Sequence, residues 1–495
     1  MIEQRVKCGY KFSNIDERKN MEKNIRIAII GGGPAGLSAG MYLEQKGYEN
    51  YVIFEKTDHV GGKCHSPTWN GKRYEMGAIM GVPSYYAVHD VELFAGVGHN
   101  GPRLHRTYRL PNGQPDHRFD KKLFNIPHLL KLKKQIKKFG EILETKYKGY
   151  DICGHRGVSE GRYEGFAVTP GREPVSGVNE NLKDLAMPFK KFCELNKCPL
   201  VTEIWVQPFT SFGYGYFDEI PAAYVLKYLD FQTMMNFVNV NLWTWKDGTQ
   251  SIYEALNAKL KHPALLNSNI TKIVRGEKVT ITVNGKEEVF DKLIITAPLQ
   301  VGTINNPVAQ GLDSYLDVTE KERELFSKID YERYDTMAYI TAKENYPEAS
   351  FYVVDNMTPE TLGHGMVFYM RWGNEPDQPL VSYVLRKHKD PGESLKQYKE
   401  RPELEYEATK KTVLEDITKL GIPPIKEEGK DKIIYEFQAY YFPHVFSEDY
   451  AAGWYEKVEA MQGQNNTYYA GEIMSFGDMD ETVEYSRDLV ERFFR

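Results

Sequence analysis

Residues 25–66 read IRIAIIGGGPAGLSAGMYLEQKGYENYVIFEKTDHVGGKCHS. The apolar run Ile25–Ile30 leads into a G-x-G-x-x-G pattern on Gly31, Gly33 and Gly36, where a helical pattern begins. Gly31 permits the tight turn, Gly33 lets the backbone approach a pyrophosphate, and Gly36 lets the helix pack close to the strand. The stretch therefore predicts a strand, a turn and a helix whose N-terminus binds the pyrophosphate of a dinucleotide.

A second predicted strand, Tyr51–Phe54, places Glu55 at its carboxyl end. A carboxylate there can accept hydrogen bonds from both ribose hydroxyls of an adenosine and would repel a 2′-phosphate, which disfavours NADP. The glycine pattern alone is a weak signal, but the strand before it, the helix after it and the acid at the expected distance agree. We predict an α/β fold built on a Rossmann-type dinucleotide-binding domain.

The next segment distinguishes flavin from NAD. Gly61, Gly62, Lys63 and Ser66 resemble the second glycine motif of the amine-oxidase-like FAD proteins, so FAD is the expected cofactor. Those proteins usually carry Arg where this chain has Lys63. An ammonium contacts a phosphate as a point charge, without the bidentate fork of a guanidinium. We favour phosphate contact for Lys63 over the alternative of a solvated surface residue.

Composition limits the function classes. A chain of 495 residues has room for two or three domains, and its net charge of -6 argues against nucleic acid as a partner. The five cysteines show no C-x-x-C and the histidines no H-E-x-x-H, so we expect neither a disulfide framework nor a metal site. Residues 1–24 lack the apolar core of a signal peptide, and we expect them to be a mobile extension of a cytoplasmic protein.

Three separated segments, 25–104, 243–298 and 458–495, are expected to build a discontinuous FAD-binding domain. The second carries alternating strands around Asn284-Gly285, followed by an apolar strand, and the third reads as strand, glycine turn and helix. Two insertions should carry the substrate chemistry. Residues 105–242 are predicted to be a mainly helical domain with a loop insert at 151–181, and 299–457 a mixed-sheet substrate domain.

One predicted helix in the first insertion has an apolar stripe with lysines facing away from it. The stripe comprises Leu129, Leu132, Ile136, Phe139 and Leu143, and the lysines are Lys131, Lys133, Lys134, Lys137 and Lys138. A solvated helix face is the favoured reading of these lysines. A docking surface for anionic lipid or micelles, with transient contact, is the alternative.

Five further runs carry a resemblance to a known family. They are YEMGAIMGVPSYY (74–86), PFTSFGYGYFDEIPAAYVLKYLDFQTMMNF (208–237), LWTWKDGTQ (242–250), YYFPHVFSEDYAAGWYEKVEAMQG (440–463) and YYAGEIMSFG (468–477). Together with the flavin motif they resemble a bacterial linoleate isomerase, a polyenoic fatty acid double-bond isomerase with bound FAD. The similarity covers residues 25–494 and departs at the N-terminal extension and around 158–175.

The resemblance implies that FAD N5 takes a hydride from the methylene between two cis double bonds. The hydride returns to another carbon and leaves a conjugated diene, with no net redox change. No catalytic residue from the protein is then expected. The implied partner is a free polyunsaturated fatty acid of the linoleic type, and no obligate protein partner is evident.

The resemblance also implies substrate contacts. Phe212, Tyr214 and Phe237 would line the fatty-acid channel, because aromatic faces stabilise a neighbouring carbocation. Arg106 would hold the substrate carboxylate with a bidentate fork, with Phe237 stacked over it as a gate. Arg109 is the alternative to Arg106 for holding the carboxylate. The structural alternatives are core packing for the aromatic residues and surface solvation for the two arginines.

Cofactor contacts are carried over by motif. Residues 77–79 would pass near the isoalloxazine, Ile270 would meet the adenine, and 471–472 would face the ribityl and pyrophosphate, with Met479 at the flavin O2 end. The predicted set is Gly31, Gly33, Ala35, Gly36, Glu55, Gly61, Gly62, Lys63, Gly77, Ala78, Ile79, Ile270, Gly471, Glu472 and Met479.

Two other functions share the same scaffold. One is a flavin oxidase of amines, porphyrinogens or carotenoids, which would produce hydrogen peroxide and an oxidised product. The other is a non-catalytic flavin-containing lipid-binding protein, which would leave a bound diene unchanged. The match over the insertions and the candidate carboxylate clamp at Arg106 favour the isomerase.

Overall fold

The computed structural model describes residues 22–119, 126–147, 182–302, 311–347, 349–371, 378–426 and 428–494. The predicted loop insert at 151–181 and nearly all of the predicted extension at 1–24 lie outside the described residues. The strands are β1 (Ile27–Ile30), β2 (Tyr51–Phe54), β3 (Thr68–Trp69), β4 (Lys72–Arg73), β5 (Arg106–Tyr108), β6 (Ile270–Arg275), β7 (Val279–Val283), β8 (Lys286–Phe290), β9 (Lys292–Ile295), β10 (Asp330–Ile340), β11 (Ser350–Tyr352), β12 (Val367–Met370), β13 (Leu380–Leu385), β14 (Lys432–His444) and β15 (Thr467–Tyr469).

The helices surround these strands. They are α1 (Pro34–Gln45), α2 (Tyr86–Ala95), α3 (Ile126–Thr145), α4 (Leu182–Leu185), α5 (Phe189–Leu195), α6 (Thr202–Phe209), α7 (Ala222–Tyr228), α8 (Phe231–Val238), α9 (Gln250–Lys259), α10 (Glu320–Phe326), α11 (Leu395–Glu400), α12 (Tyr406–Lys419), α13 (Ser447–Ala451), α14 (Trp454–Glu459) and α15 (Met479–Phe493).

A parallel sheet of order β15-β9-β1-β2 forms the nucleotide-binding core. All four residues of β1 are buried, as a central strand of a parallel sheet requires. α1 packs against α15 and α9 on this sheet. Three segments distant in sequence supply these strands. The predicted Rossmann-type α/β arrangement is therefore confirmed.

The predicted hairpin at Asn284-Gly285 is present in a three-stranded sheet of order β6-β7-β8. Both turn residues have positive φ, 49° and 75°, as a two-residue turn that matches the twist of the flanking strands requires. β9 follows directly and returns the chain to the parallel sheet. Local turn chemistry and alternation were sufficient to predict this region.

A six-stranded sheet of order β14-β10-β13-β12-β11-β5 forms the second layer. Its strands pair antiparallel, except that β5 pairs parallel with β11 at one edge. β5 begins at Arg106, inside the segment predicted to be mainly helical. The first insertion is thus helical from α3 to α8, but its beginning is a strand of the mixed sheet.

α3 confirms the predicted apolar stripe. Leu132, Phe139 and Leu143 are buried, and Leu129 and Ile136 are half-buried. The Phe139 ring lies edge-on to Trp205 at a centroid distance of 5.4 Å. Among the stripe's opposing lysines, Lys131, Lys133, Lys134 and Lys137 are exposed and Lys138 is half-buried. The helix therefore packs with one face and presents the other outward.

Two absences hold for the described part of the chain. None of its helices combines the length and the apolar character that crossing a membrane would require. Across the same residues, histidine, cysteine and acidic side chains do not gather in threes as a metal site would demand. Cys64, Cys193 and Cys198 are buried free thiols, and burial raises the pKa of each.

Candidate functional site

The turn between β1 and α1 is shaped by three glycines. Gly31 has a φ of 111°, which suits glycine, and a Cβ on Gly36 would lie 1.9 Å from the Gly31 carbonyl oxygen. A Cβ on Gly33 would lie 3.6 Å from Cα of Gly62, so the second glycine segment packs directly against the first. The Gly61 amide completes this contact by donating to the Gly32 carbonyl at 3.0 Å.

Glu55 lies at the carboxyl end of β2, buried beside the same turn. Its Oε2 accepts from the Gly32 amide at 2.7 Å, and its Oε1 accepts from the Thr57 amide at 2.8 Å. The Thr57 hydroxyl also donates to Oε1 at 2.8 Å, and because two carboxylate oxygens offer about four acceptor positions, at least one remains for a ribose hydroxyl. The Ser268 amide donates to the Glu55 carbonyl at 2.8 Å, which brings the start of β6 at Ile270 to the same end of the site.

Lys63 bridges the glycine segment to the end of the chain. Its Nζ lies 2.6 Å from a carboxylate oxygen of Glu472 and 4.9 Å from the ring centroid of Tyr441. The ion pair joins residues 409 positions apart in sequence. The ammonium and the carboxylate are both partly exposed. The structure thus gives Lys63 a protein partner, and its contact with phosphate remains a prediction.

Residues 77–79 lie against the backbone that follows the second glycine motif. A Cβ on Gly77 would lie 1.8 Å from the Lys63 carbonyl oxygen, and the Ala78 amide donates to that oxygen at 3.2 Å. The Thr249 hydroxyl donates to the Ala78 carbonyl at 2.8 Å. Ile79 is buried. This segment is therefore tied on both sides and cannot shift independently.

Glu75 holds Thr249 in place and thereby supports residues 77–79, although no role for Glu75 was predicted from the sequence. The fully buried carboxylate accepts from the hydroxyl of Ser66 and from the amide of Thr249, and Nε of Arg371 lies 3.6 Å away. Burial raises the pKa of Glu75, while the Arg371 guanidinium counteracts the shift. The Arg371 Nη1 also donates to the Arg73 carbonyl at 2.9 Å. A glutamate immediately before Met76-Gly77 was the only sequence signal for this network.

The last segment of the site turns at Gly471, whose φ is 91°. A Cβ there would lie 2.7 Å from the Thr296 carbonyl oxygen, and the Thr296 hydroxyl donates to the Ile30 carbonyl at 2.7 Å. These contacts bring residues 471–472 to the carboxyl ends of β1, β9 and β15. In open α/β sheets this edge is where ligands bind.

α15 begins at Met479 and is capped by Asp478, whose side chain accepts from the Glu481 amide at 2.7 Å. Burial raises the pKa of Asp478 well above its usual range, and the nearby carboxylates of Glu481 and Asp480 raise it further. Asp480 in turn accepts from the amides of Ala87 and Val88 at the start of α2, at 2.8 and 2.9 Å. The N-terminus of α15 is thereby locked to α2.

The residues around the first turn fit a bound dinucleotide. The N-cap residue of α1 is Gly33, which has no side chain to cap the helix, and the first turn of α1 carries no acid. Its positive end is left for an external anion such as a pyrophosphate. The glycine cradle and Glu55 provide the matching backbone approach and ribose acceptor.

An aromatic wall lies next to this end of the sheet. The ring of Tyr214 lies 4.7 Å from Phe476 and 5.5 Å from Tyr441, and the Tyr441 hydroxyl donates to the Tyr214 hydroxyl at 3.2 Å. Burial raises the pKa of both tyrosines, so their hydroxyls stay protonated and the wall is neutral. The wall members are Tyr214, Tyr228, Tyr334, Tyr441, Phe442 and Phe476.

Phe212 and Phe237 occupy different positions relative to that wall. Phe212 is half-buried and precedes Gly213, at which a Cβ would lie 2.5 Å from the Tyr334 ring. Phe237 is buried in α8, with its ring 6.2 Å from Tyr228. The structure therefore brings all three predicted channel aromatics to one region. Tyr441 and Phe442 belong to it as well and were not singled out from the sequence.

Arg106 lies on β5 at the far side of this region. Its Nη2 donates to the Phe237 carbonyl at 2.7 Å, so the guanidinium contacts the backbone of Phe237. The predicted stacking of the Phe237 ring over the guanidinium is not among the contacts that the structure gives Arg106. The rival, Arg109, lies with its guanidinium 4.8 Å from the Phe351 ring. The Arg106 side chain is half-buried, which leaves donors available to a ligand.

A series of tyrosines connects Arg106 with Lys63. Burial raises the pKa of Tyr352 to about 12, and the charge of nearby Arg106 counteracts that shift. Tyr334 stacks on Tyr383 at 5.7 Å and lies 5.4 Å from Tyr441, the ring beneath the Lys63 ammonium. A cation therefore lies at each end of this series of tyrosines.

Behind this wall, Glu332 and His444 form a buried titratable pair. The His444 Nε2 lies 3.8 Å from Glu332 Oε1, and the His444 ring stacks on Phe442 at 5.0 Å. Burial raises the pKa of Glu332 from 4.5 to about 8 and lowers that of His444 from 6.5 to about 4. Glu332 thus holds a proton that the unfolded chain releases, so its contribution makes stability fall as pH rises from 4.5 to 8.

Comparison with known families gives one match over most of the chain. Residues 34–484 match the model of the flavin containing amine oxidoreductases. Among curated proteins, the FAD-dependent oxidoreductase dpchF of Colletotrichum higginsianum is 23% identical over 91% of this chain and 89% of its own. The polyenoic fatty acid isomerase of Ptilota filicina is 23% identical over 66% of each chain.

Among solved structures, the CLA-producing fatty acid isomerase from P. acnes is similar over 96% of this chain and 100% of its own. It has 45% sequence identity and a TM-score of 0.82. Wild-type putrescine oxidase bound to putrescine is 14% identical, with a TM-score of 0.61 over 95% of this chain and 99% of its own. The second likeness shows a shared fold only.

Proposed function

The chain belongs to the flavin-containing amine oxidoreductase family and uses FAD as its cofactor, and on that basis we propose that it is a fatty acid isomerase. Its substrate is a methylene-interrupted polyunsaturated free fatty acid of the linoleic type, and its product is a conjugated fatty acid. The 45% identity to a CLA-producing isomerase, over nearly the whole of both chains, supports this class of reaction. When bound, FAD supplies a hydride acceptor and donor at N5, so no second substrate is needed.

The chain's own residues hold the cofactor in this proposal. Glu55 would accept from the adenosine ribose, the turn between β1 and α1 would receive the pyrophosphate, and Ile270 would lie by the adenine. Residues 77–79, held by Thr249 and Glu75, would border the isoalloxazine, and the N-terminus of α15 at Met479 would face its O2 end. Lys63, Gly471 and Glu472 complete the phosphate and ribityl side.

The assignment of a free acid as substrate rests on Arg106. A guanidinium has five N–H donors, and the Phe237 carbonyl takes one of them. The remaining donors suffice to hold a carboxylate in a bidentate pair. The carboxylate would then lie at the end of the tyrosine series remote from Lys63 and Tyr441, with the acyl chain extending along the tyrosines. A half-buried cationic end beside a series of aromatic side chains matches an amphiphile.

The aromatic wall orients the diene and excludes water. Positive charge develops on the carbon chain when a hydride leaves it, and ring faces of Tyr214, Phe212 and Phe237 stabilise such charge. The neutral hydroxyl of Tyr214 and the apolar rings of Phe212 and Phe237 supply no base that would remove a proton from the cation instead. The predicted outcome is return of the hydride to the carbon chain rather than loss of a proton.

The experiment is anaerobic incubation of the purified flavoprotein with linoleic acid, followed by absorbance of a conjugated diene in the ultraviolet. An aerated duplicate is assayed for hydrogen peroxide. Diene growth without peroxide supports the isomerase. Peroxide without diene would indicate an oxidase, and an unchanged, tightly bound acid would indicate a lipid-binding protein.

A further inference from the structure

The outward face of α3 concentrates positive charge and apolar side chains. Ile126 and Leu130 are 65% and 63% exposed, and Lys133, Lys134 and Lys137 follow on the same face at spacings of three and four. At the rise of an α-helix, the segment from Ile126 to Lys137 is about 16 Å long. This face combines the two features of an interfacial helix, a cationic surface and exposed aliphatic residues.

Helix stability does not account for this arrangement. Lys133 and Lys137, and likewise Lys134 and Lys138, are like charges four residues apart, which disfavours a helix. Lys137 has an opposite charge one turn on, Glu141 at 3.8 Å, but both side chains are exposed and such a pair contributes little. The last turn carries no basic residue, whereas Glu144 lies near that end, opposite to the preference of the helix dipole. The whole chain has a net charge of -6. A local cationic surface on an acidic protein is complementary to an anionic partner.

α3 is coupled to the candidate carboxylate clamp. A Cβ on Gly140 would lie 2.8 Å from the ring of Phe231, so α3 and α8 pack closely at this point. α8 is eight residues long and contains Phe237, whose carbonyl accepts from Arg106. Val240, just beyond α8, is 42% exposed. The outward helix and the clamp therefore belong to one packed unit.

We propose that the outward face of α3 docks the enzyme on an anionic lipid bilayer, from which it takes its fatty acid. The proposal rests on the assigned substrate class, because a free fatty acid partitions into bilayers. The lysines attract the anionic headgroups, and Ile126 and Leu130 enter the boundary between headgroups and acyl chains. Docking then brings the unit that holds Arg106 to the surface where the substrate carboxylates lie.

The test is flotation of the holoenzyme with phosphatidylcholine vesicles made with and without phosphatidylglycerol. The test variant combines Lys133→Gln, Lys134→Gln and Lys137→Gln. The control combines Lys259→Gln, Lys321→Gln and Lys411→Gln, three exposed lysines on α9, α10 and α12 with the same total change in charge. Flavin absorbance reports that each variant is folded and loaded.

We expect binding to the anionic vesicles only. The test variant should lower the partition coefficient by about a hundredfold, since each lysine at such a surface contributes roughly fivefold. The control should change it less than about threefold, and added salt should weaken wild-type binding. An equal loss of vesicle binding in both variants would overturn the proposal. Absence of wild-type binding to anionic vesicles would also overturn it and would favour an acidic protein as the partner.

Flotation does not depend on turnover, so it separates the two proposals. Vesicle binding without diene formation would refute the isomerase but leave the docking surface in place. Diene formation from dissolved linoleic acid without vesicle binding would refute only the docking. If both proposals are correct, the test variant loses activity on vesicle-embedded substrate and keeps activity on dilute dissolved substrate.

Discussion

Replacing Arg106 by alanine should weaken binding of free linoleic acid far more than binding of its methyl ester. The guanidinium donates one N–H to the Phe237 carbonyl, which leaves enough donors for a bidentate pair with a carboxylate. A charge-assisted hydrogen bond contributes about 1.5–3 kcal/mol. Because Arg106 is half-buried, solvent screening weakens its attraction to the carboxylate, and we expect the pair to contribute about 2 kcal/mol to the binding free energy in total.

A loss of 2 kcal/mol corresponds to a roughly 30-fold increase in Kd for the acid. The substitution also removes one of the donors to the Phe237 carbonyl, which still accepts from the Val240 amide, and this affects acid and ester alike. The ratio of the two changes therefore isolates the carboxylate contact. Both Kd values can be followed from the perturbation of the flavin absorbance when ligand is added.

Two further variants sharpen the test. Arg106→Lys keeps the charge but loses the fork, so the acid should bind with intermediate affinity. Arg109→Ala removes the neighbouring guanidinium, which lies over Phe351, and should affect acid and ester equally. An equal loss for acid and ester in Arg106→Ala would refute the carboxylate role. A selective loss of the acid in Arg109→Ala would transfer that role to Arg109.

Three other perturbations test the cofactor site and the buried pair. Gly36→Ala should cost about 3 kcal/mol of stability and most of the bound flavin, because the added Cβ would lie 1.9 Å from the Gly31 oxygen. Gly98→Ala, where nothing lies within 4 Å, is its control, and a similar Tm and flavin content in both variants would contradict the cradle. Glu55→Gln should raise the Kd for FAD about 10- to 100-fold by removing charge-assisted acceptors, measured by ultrafiltration, and an unchanged Kd would exclude a ribose contact. Glu332→Gln should abolish a loss of about 2 kcal/mol in stability between pH 6.5 and 8, because in this range the folded state keeps the Glu332 proton, with a pKa of about 8, while the unfolded chain has released it. Urea unfolding of wild type and variant at both pH values checks this, and a stability difference independent of pH would mean that Glu332 does not titrate in this range.

Features that depend on neighbouring residues were predicted correctly. The strand–turn–helix from β1 to α1, the hairpin at Asn284-Gly285 and the buried stripe of α3 follow from glycine geometry, alternation and helical periodicity. Each is set by hydrogen bonds and steric contacts between residues close in sequence. The family resemblance then extended these local predictions to the cofactor and the reaction class, because its motifs span the insertions as well.

The partners of charged side chains were not predictable in the same way. Nothing in the sequence indicated that Lys63 would pair with Glu472, 409 residues away, and its contact with phosphate remains a prediction. Arg106 was assigned to a helical insertion, yet it lies on an edge strand beside Ser350. Nothing in the local pattern of RLHRTYRL indicates which strand it will join, because strand pairing at this separation depends on the packing of the whole sheet.

The sequence by itself determined a dinucleotide-binding α/β core, an acid at the carboxyl end of its second strand and a helix with one apolar and one cationic face. Only the tertiary structure decided that Glu75, Thr249 and Arg371 hold residues 77–79. It also decided that tyrosines from α7, β10, β11 and β14 gather between Arg106 and Lys63. Periodicity and turn chemistry act over a few residues, whereas burial of an ion pair or an aromatic wall requires segments hundreds of residues apart to meet on one folded surface.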